Sequence, residues 1–158
     1  MSDIGTVLVG GALALVGSFI GSVIGPFFIQ RAKDATDRRR KRAEKCEELI
    51  GAVVEHYHWI AAMRYFTISG QGNQPTLSPI TKIQAIVSMY FPEFDVLALQ
   101  FDIVSNSYEL WILDIGQRRV RNEPGYENIA GHDDVGQEYT AKRMEFLAAL
   151  RNFARREF

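Results

Sequence analysis

Three histidines and one cysteine are the side chains of this 158-residue chain best suited to chemistry, and their spacing argues against it. His56 and His58 lie two apart in a segment of helical periodicity, so they point in different directions and are poorly placed to share a metal ion. His132-Asp133-Asp134 precedes a predicted helix, where Asp133 or Asp134 is expected as an N-cap rather than as a metal ligand. Cys46 is the single cysteine, which excludes a disulfide framework and a Cys-rich zinc site within one chain. It sits on the apolar face of a predicted helix, so a buried thiol is expected in spite of the neighbouring Lys45. No histidine has an arginine at the short upstream offset used by one class of helical ribonucleases. Phosphate-loop, serine-hydrolase and zinc-protease motifs are missing. No convergent set of titratable groups emerges, so the expectation is a non-enzyme with no catalytic residue, metal or cofactor.

The sequence speaks more clearly about place. Ile4 to Ile29 is a run of 26 residues without a charge, longer than the roughly 18–20 needed to cross a bilayer core. A cleaved signal peptide needs a basic start and a shorter apolar stretch; here the start is Met-Ser-Asp and the bases follow the run. Eight bases against three acids lie between Arg31 and Lys45. The positive-inside rule therefore puts the N-terminus outside and the rest in the cytoplasm, as a single-pass protein of the inner (cytoplasmic) membrane. Arg31, Lys33, Arg38, Arg39 and Arg40, with Lys41 and Arg42 beyond them, are expected near anionic headgroups.

The small residues of this segment share one helical face. Gly17-x-x-x-Gly21-x-x-x-Gly25, extended by Gly10-x-x-x-Ala14, is a repeated small-xxx-small pattern. Helices in lipid associate by close van der Waals contact, which small residues permit. Gly10, Ala14, Gly17, Gly21 and Gly25 are thus the expected oligomerisation residues. Thr6, Ser18 and Ser22 are the candidates to line a pore, if they do not instead bond between helices. Pro26 is expected to bend the helix near its cytoplasmic end.

Beyond the membrane, the periodicity is helical throughout. A long stalk helix is expected over about 32–66, with Cys46, Leu49, Ile50, Val53, Val54, Tyr57, Ile60 and Ala61 inward. Trp59, Tyr57, Tyr65 and Phe66 are expected as an aromatic core cluster at its end. Gly70 to Pro79 reads as a loop, and Ser78 caps a helix opened by Pro79. From Pro92 the residues Phe94, Leu97, Ala98, Phe101, Val104, Tyr108, Trp111, Ile112 and Ile115 follow an a/d pattern. The solvent side of that helix is read as acidic, through Glu93, Asp95, Asp102, Glu109 and Asp114. A polar connection is expected over Gln117–Gly136, and a last helix buries Tyr139, Phe146, Leu147, Leu150 and Phe153. The fold class is therefore all-α: one N-terminal transmembrane helix (1–30) followed by a cytoplasmic antiparallel helical bundle (31–158). With 18 bases and 19 acids the chain is nearly neutral, which argues against nucleic acid as a partner.

Ile83 to Phe94, Ile-Gln-Ala-Ile-Val-Ser-Met-Tyr-Phe-Pro-Glu-Phe, resembles a signature of small bacterial proteins with one N-terminal span and a helical cytoplasmic domain. The overall plan is similar to the membrane accessory proteins of type VI-B CRISPR systems, which form ring-shaped membrane pores. The resemblance implies a homo-oligomer with its spans around an axis and a role in antiviral defence; it transfers no functional residue. The expected function is a homo-oligomeric, pore-forming membrane effector built on a glycine zipper. The alternative is a membrane-tethered oligomeric scaffold or regulator that binds a cytoplasmic protein partner without conduction.

Overall fold

A computed structural model of the chain describes residues 25–73, 75, 77–123 and 132–158. Among them the regular elements are all helical: α1 (Gly25–Ser69), α2 (Ile80–Tyr90), a 3-10 turn (Pro92–Phe94), α3 (Asp95–Val120) and α4 (His132–Glu157). This is the all-α architecture expected from the periodicity. Gly10, Ala14, Gly17 and Gly21, with Thr6, Ser18 and Ser22, lie outside the described residues, while Gly25 opens α1. No helix among the described residues is long and apolar enough to cross a membrane.

The chain divides into two units, Met1–Lys41 and Arg42–Phe158. In the first, α1 is described from Gly25, with Pro26 as its second described residue. The residues before it, on which the expected bend depends, lie outside the described ones. Arg31, Lys33, Arg38, Arg39 and Arg40 are exposed along this stretch.

The second unit holds the core. On α1 the buried seam is Cys46, Leu49, Val53, His56 and Ile60, a strict alternation of three and four. Val54 and Tyr57 were expected inward but are 40% and 41% exposed, and Ala61 is exposed too. Each follows a seam residue directly and so lies about 100° round the helix from it. α1 stops at Gly70, whose φ of +70° is left-handed and whose N–H bonds the Phe66 carbonyl at 2.8 Å. Pro79 is already helical (φ −67°, ψ −4°), and the Ser78 hydroxyl accepts the Ile80 N–H at 3.4 Å.

α3 runs three residues past Gln117 to Val120. Cations in the last turn of a helix are favoured, and Arg118 and Arg119 occupy it. The helix closes in a Schellman motif on Asn122 (φ +53°), with Asn122 N–H to the Arg119 carbonyl at 3.0 Å and Glu123 N–H to the Arg118 carbonyl at 3.1 Å. α4 begins at His132, so Asp133 and Asp134 are first-turn residues and not the expected N-cap.

The inward residues expected on α3 and α4 form the core: Phe94, Ala98, Phe101, Val104, Tyr108 and Ile112 meet Tyr139, Phe146, Leu147, Leu150 and Phe153, and Ile115 is buried outside that cluster. Leu97 and Trp111 are only partly buried against it. Phe91, Phe94 and Phe153 pack edge to face around the 3-10 turn, Phe91–Phe153 at 5.7 Å and Phe94–Phe153 at 5.4 Å between centroids. Arg42 clamps this end. Its guanidinium lies 5.3 Å from both the Phe91 and Phe153 ring centres and bonds Glu93 at 2.6 Å. Arg42 is therefore tied to two aromatic rings and a carboxylate.

Candidate functional site

Two features of the second unit stand apart from ordinary core packing. The first is polar and buried. His56 is fully buried, at a seam position between Val53 and Ile60. Its Nδ1 is 3.1 Å from the Tyr139 hydroxyl, and its ring sits edge-on to Phe101 at 5.2 Å. Its Nε2 has no hydrogen-bond partner and lies 3.8 Å from Glu109 Oε1. That gap is too long for a hydrogen bond but short enough for attraction across a low-dielectric interior. In the tautomer where Tyr139 donates to Nδ1, the ring proton sits on Nε2, the nitrogen nearer the Glu109 carboxylate. Burial pushes the Tyr139 phenol well above its ordinary range, so it stays a neutral donor. Glu109 was expected on the solvated acidic face; its side chain is only 23% exposed because it leans towards His56.

Beside this centre a pocket of about 510 Å³ opens between α1, α3 and α4. Tyr57, Arg64, Tyr108, Tyr139 and Thr140 give it polar edges, and Ile60 and Met144 give it apolar walls. Arg143 stacks on Tyr57 with its guanidinium carbon 3.9 Å from the ring centre. The expected aromatic core cluster is thereby corrected. Tyr65 is 58% exposed, Tyr57 faces the pocket, and only Trp59 packs against the core. The imidazole of His56 is fully buried and hydrogen-bonded to Tyr139, an arrangement suited to pinning α1 to α4. Among the described residues no group of three or more His, Cys, Asp or Glu is placed to hold a metal ion. Cys46 is buried, and desolvation, with some help from Glu47, raises its thiol pKa, the reverse of an activated thiolate.

The second feature is apolar and open. Val96, Leu99, Ile103, Leu110, Leu113 and Val120 lie on the outward side of α3, between 46% and 74% exposed. Sequence reasoning read this side as acidic and missed them. The signal was present: the spacing from 96 to 120 repeats three-four, offset from the inward seam. Of the acids expected there, Asp95 and Asp114 are exposed, while Glu93 pairs with Arg42 and Asp102 accepts a bond from Gln84 at 2.7 Å. Arg118 forms an ion pair with Asp114 at 2.8 Å. At the C-terminal end of the stripe Leu113 and Val120 join Phe66 and Thr67 in a groove of about 380 Å³.

No known protein family, no curated protein and no solved structure matches this chain.

Proposed function

We propose that this chain is a membrane-anchored, self-associating protein without enzymatic chemistry, whose helical domain acts by holding copies or partners together at the membrane. The observation that carries this reading is the outward face of α3, where six large apolar side chains stand in water on an otherwise well-packed bundle. A monomeric soluble surface scatters such residues singly, and a contiguous row marks an interaction site. The anchor is the uncharged run from Ile4 to Ile29. The protein would be an inner-membrane, single-pass chain with the lipid bilayer and a second copy of itself as its first partners. The test is the mass of the detergent-purified full chain, together with flotation on liposomes. A multimer that floats supports the reading, and a water-soluble monomer ends it.

A second reading is favoured by the one-sided glycine pattern and by the resemblance to CRISPR-associated membrane accessory proteins. In it Gly10, Ala14, Gly17, Gly21 and Gly25 pack several spans around a lumen lined by Thr6, Ser18 and Ser22, and the protein is a pore-type effector in antiviral defence. Dye leakage from liposomes separates the two. Leakage abolished by Gly21→Leu supports the pore, whereas tight liposomes carrying an assembled protein support the tethered scaffold.

A further inference from the structure

We propose that the pocket between α1, α3 and α4 is a ligand site for a small ring-bearing carboxylate, with Arg64 as the group that takes the charge. The inference goes beyond the reading above and depends neither on self-association nor on the membrane.

The pocket comes from the way two helices face each other. Arg42 meets Phe153 and His56 meets Tyr139, so α1 and α4 run antiparallel. On α1 the lining residues Tyr57, Ile60, Ala61 and Arg64 keep a helical three-four spacing, and on α4 Gly136, Thr140 and Met144 recur every four. Where α1 offers Ala61, α4 offers Gly136 and Ala141. Side chains that small leave the facing surfaces apart, and about 510 Å³ stays open, within the range of small-molecule sites.

Two polar groups in the lining are uncommitted. Tyr108 is only 6% exposed, and its hydroxyl lies beside Gly136, 3.8 Å from where a Cβ would stand there. Among the described residues that hydroxyl makes no hydrogen bond, although buried polar groups as a rule find partners. The Tyr139 hydroxyl, by contrast, is held by His56 Nδ1, so Tyr139 is fixed in place. Arg64 is half-buried and, among the described residues, forms no ion pair, whereas Arg42, Arg118 and Arg121 each have a carboxylate.

Charge and shape identify the ligand class. Of the described lining residues Arg64 is the charged one, and none is an acid. A single guanidinium matches one carboxylate, which it grips through two parallel bonds, and Tyr108 adds a donor. A phosphate dianion calls for more positive charge than this lining supplies. The rest of the wall suits a flat ring: the tyrosine rings offer faces and edges, and the Met144 thioether packs well against aromatic carbon. Arg143, stacked on Tyr57, steadies that ring.

Isothermal titration of the full chain in detergent with naphthalene-2-carboxylate tests this, against a protein-free detergent blank. One site per chain is expected, with a Kd on the order of 10–100 µM. Naphthalene-2-carboxamide, the same ring without the charge, is expected to bind about tenfold more weakly. Arg64→Gln is expected to weaken the carboxylate about tenfold and to leave the amide unchanged, a split that general misfolding would not give. Arg64→Lys, which keeps the charge and loses the fork, is expected to fall between. Ala141→Trp, at an exposed position of the wall, fills the space and is expected to abolish both. No binding by the natural chain at about 1 mM carboxylate overturns the proposal. So does equal binding of acid and amide, an unchanged carboxylate affinity in Arg64→Gln, or full binding by Ala141→Trp with unchanged circular dichroism. Each readout is the same for a single chain and for an assembly, so failure here leaves self-association standing.

Discussion

α3 and α4 are each 26 residues long and pack on one another, yet their outward faces are built differently. α4 turns Glu138, Thr140, Glu145, Arg151 and Arg155 to water and leaves one large apolar side chain exposed before its end, Met144. α3 exposes six. Inward, the two are alike, each supplying large aromatic side chains to one core. α4 is therefore the amphipathic helix that a single bundle requires, and α3 carries more apolar surface than that bundle can use. A helix apolar on two faces has two partners, one inside the fold and one outside it.

Adjacent positions on α3 break or sharpen this contrast most strongly. Phe101 is fully buried against His56, Tyr139 and Phe146. Phe101→Ala is expected to cost about 3–5 kcal/mol in chemical denaturation followed by circular dichroism. Two residues on, Ile103→Ser is expected to move the stability of the separated chain by no more than about 0.5 kcal/mol. It acts instead on the assembly. Similar losses from the two substitutions would mean that the outward stripe is covered within one chain, and the contrast between the helices would fail.

The polar pin at the core is next in size. Tyr139→Phe removes the hydroxyl that meets His56 Nδ1 and leaves a buried imidazole nitrogen without its partner, an expected loss of about 1–3 kcal/mol. The same variant has a pH signature. The phenol's pKa is raised on folding by burial, so the folded state holds its proton more tightly than the unfolded chain does. Its stabilisation is complete below the ordinary phenol range and is lost as pH rises from about 10 upward. A denaturation series against pH should fall on that limb for the natural chain and fall less for Tyr139→Phe. An identical alkaline limb in the two proteins would remove Tyr139 from the buried centre.

These faces were not equally legible in the sequence. The inward seams of α3 and α4 could be read directly, since helical periodicity is a local property and Phe101, Tyr139 or Leu150 keeps it. The outward stripe was not read, although its residues were in view. Asp95, Asp102, Glu109 and Asp114 interleave with it and suggest a solvated face. Which of two apolar stripes enters the core is decided by volume, and Phe94, Phe101 and Tyr108 fill the space between helices better than Val96, Leu99 and Ile103. His56 stands at a seam spacing, but the sequence reading took it only with His58, as a pair poorly placed for a metal. Its partner is Tyr139, 83 residues away, a pairing that no local pattern carries. Arg42 was read with the basic cluster before it, because charge alone cannot tell a headgroup contact from a cation held between two phenylalanine rings. The glycine pattern of the N-terminal segment is a sequence property, and most of its residues lie outside the described ones.

The smallest expected effects belong to the outer face of α4, and they test the contrast from the other side. Lys142 bonds Glu145 at 2.8 Å and reaches Gln100 on α3 at 3.2 Å, all three at exposed or half-exposed positions. Exposed pairs one turn apart gain little, since water screens the attraction and ordering two long side chains costs entropy. Glu145→Gln is expected to change stability by about 0.5 kcal/mol or less. Met144→Gln, on the same face, removes one isolated thioether from water and is expected to be equally quiet. Neither should alter the mass of the assembled protein. If Met144→Gln dissociates it, as Leu110→Glu in the α3 stripe is expected to, the pocket beside α4 takes part in assembly, and the division of labour between the two helices has been drawn in the wrong place.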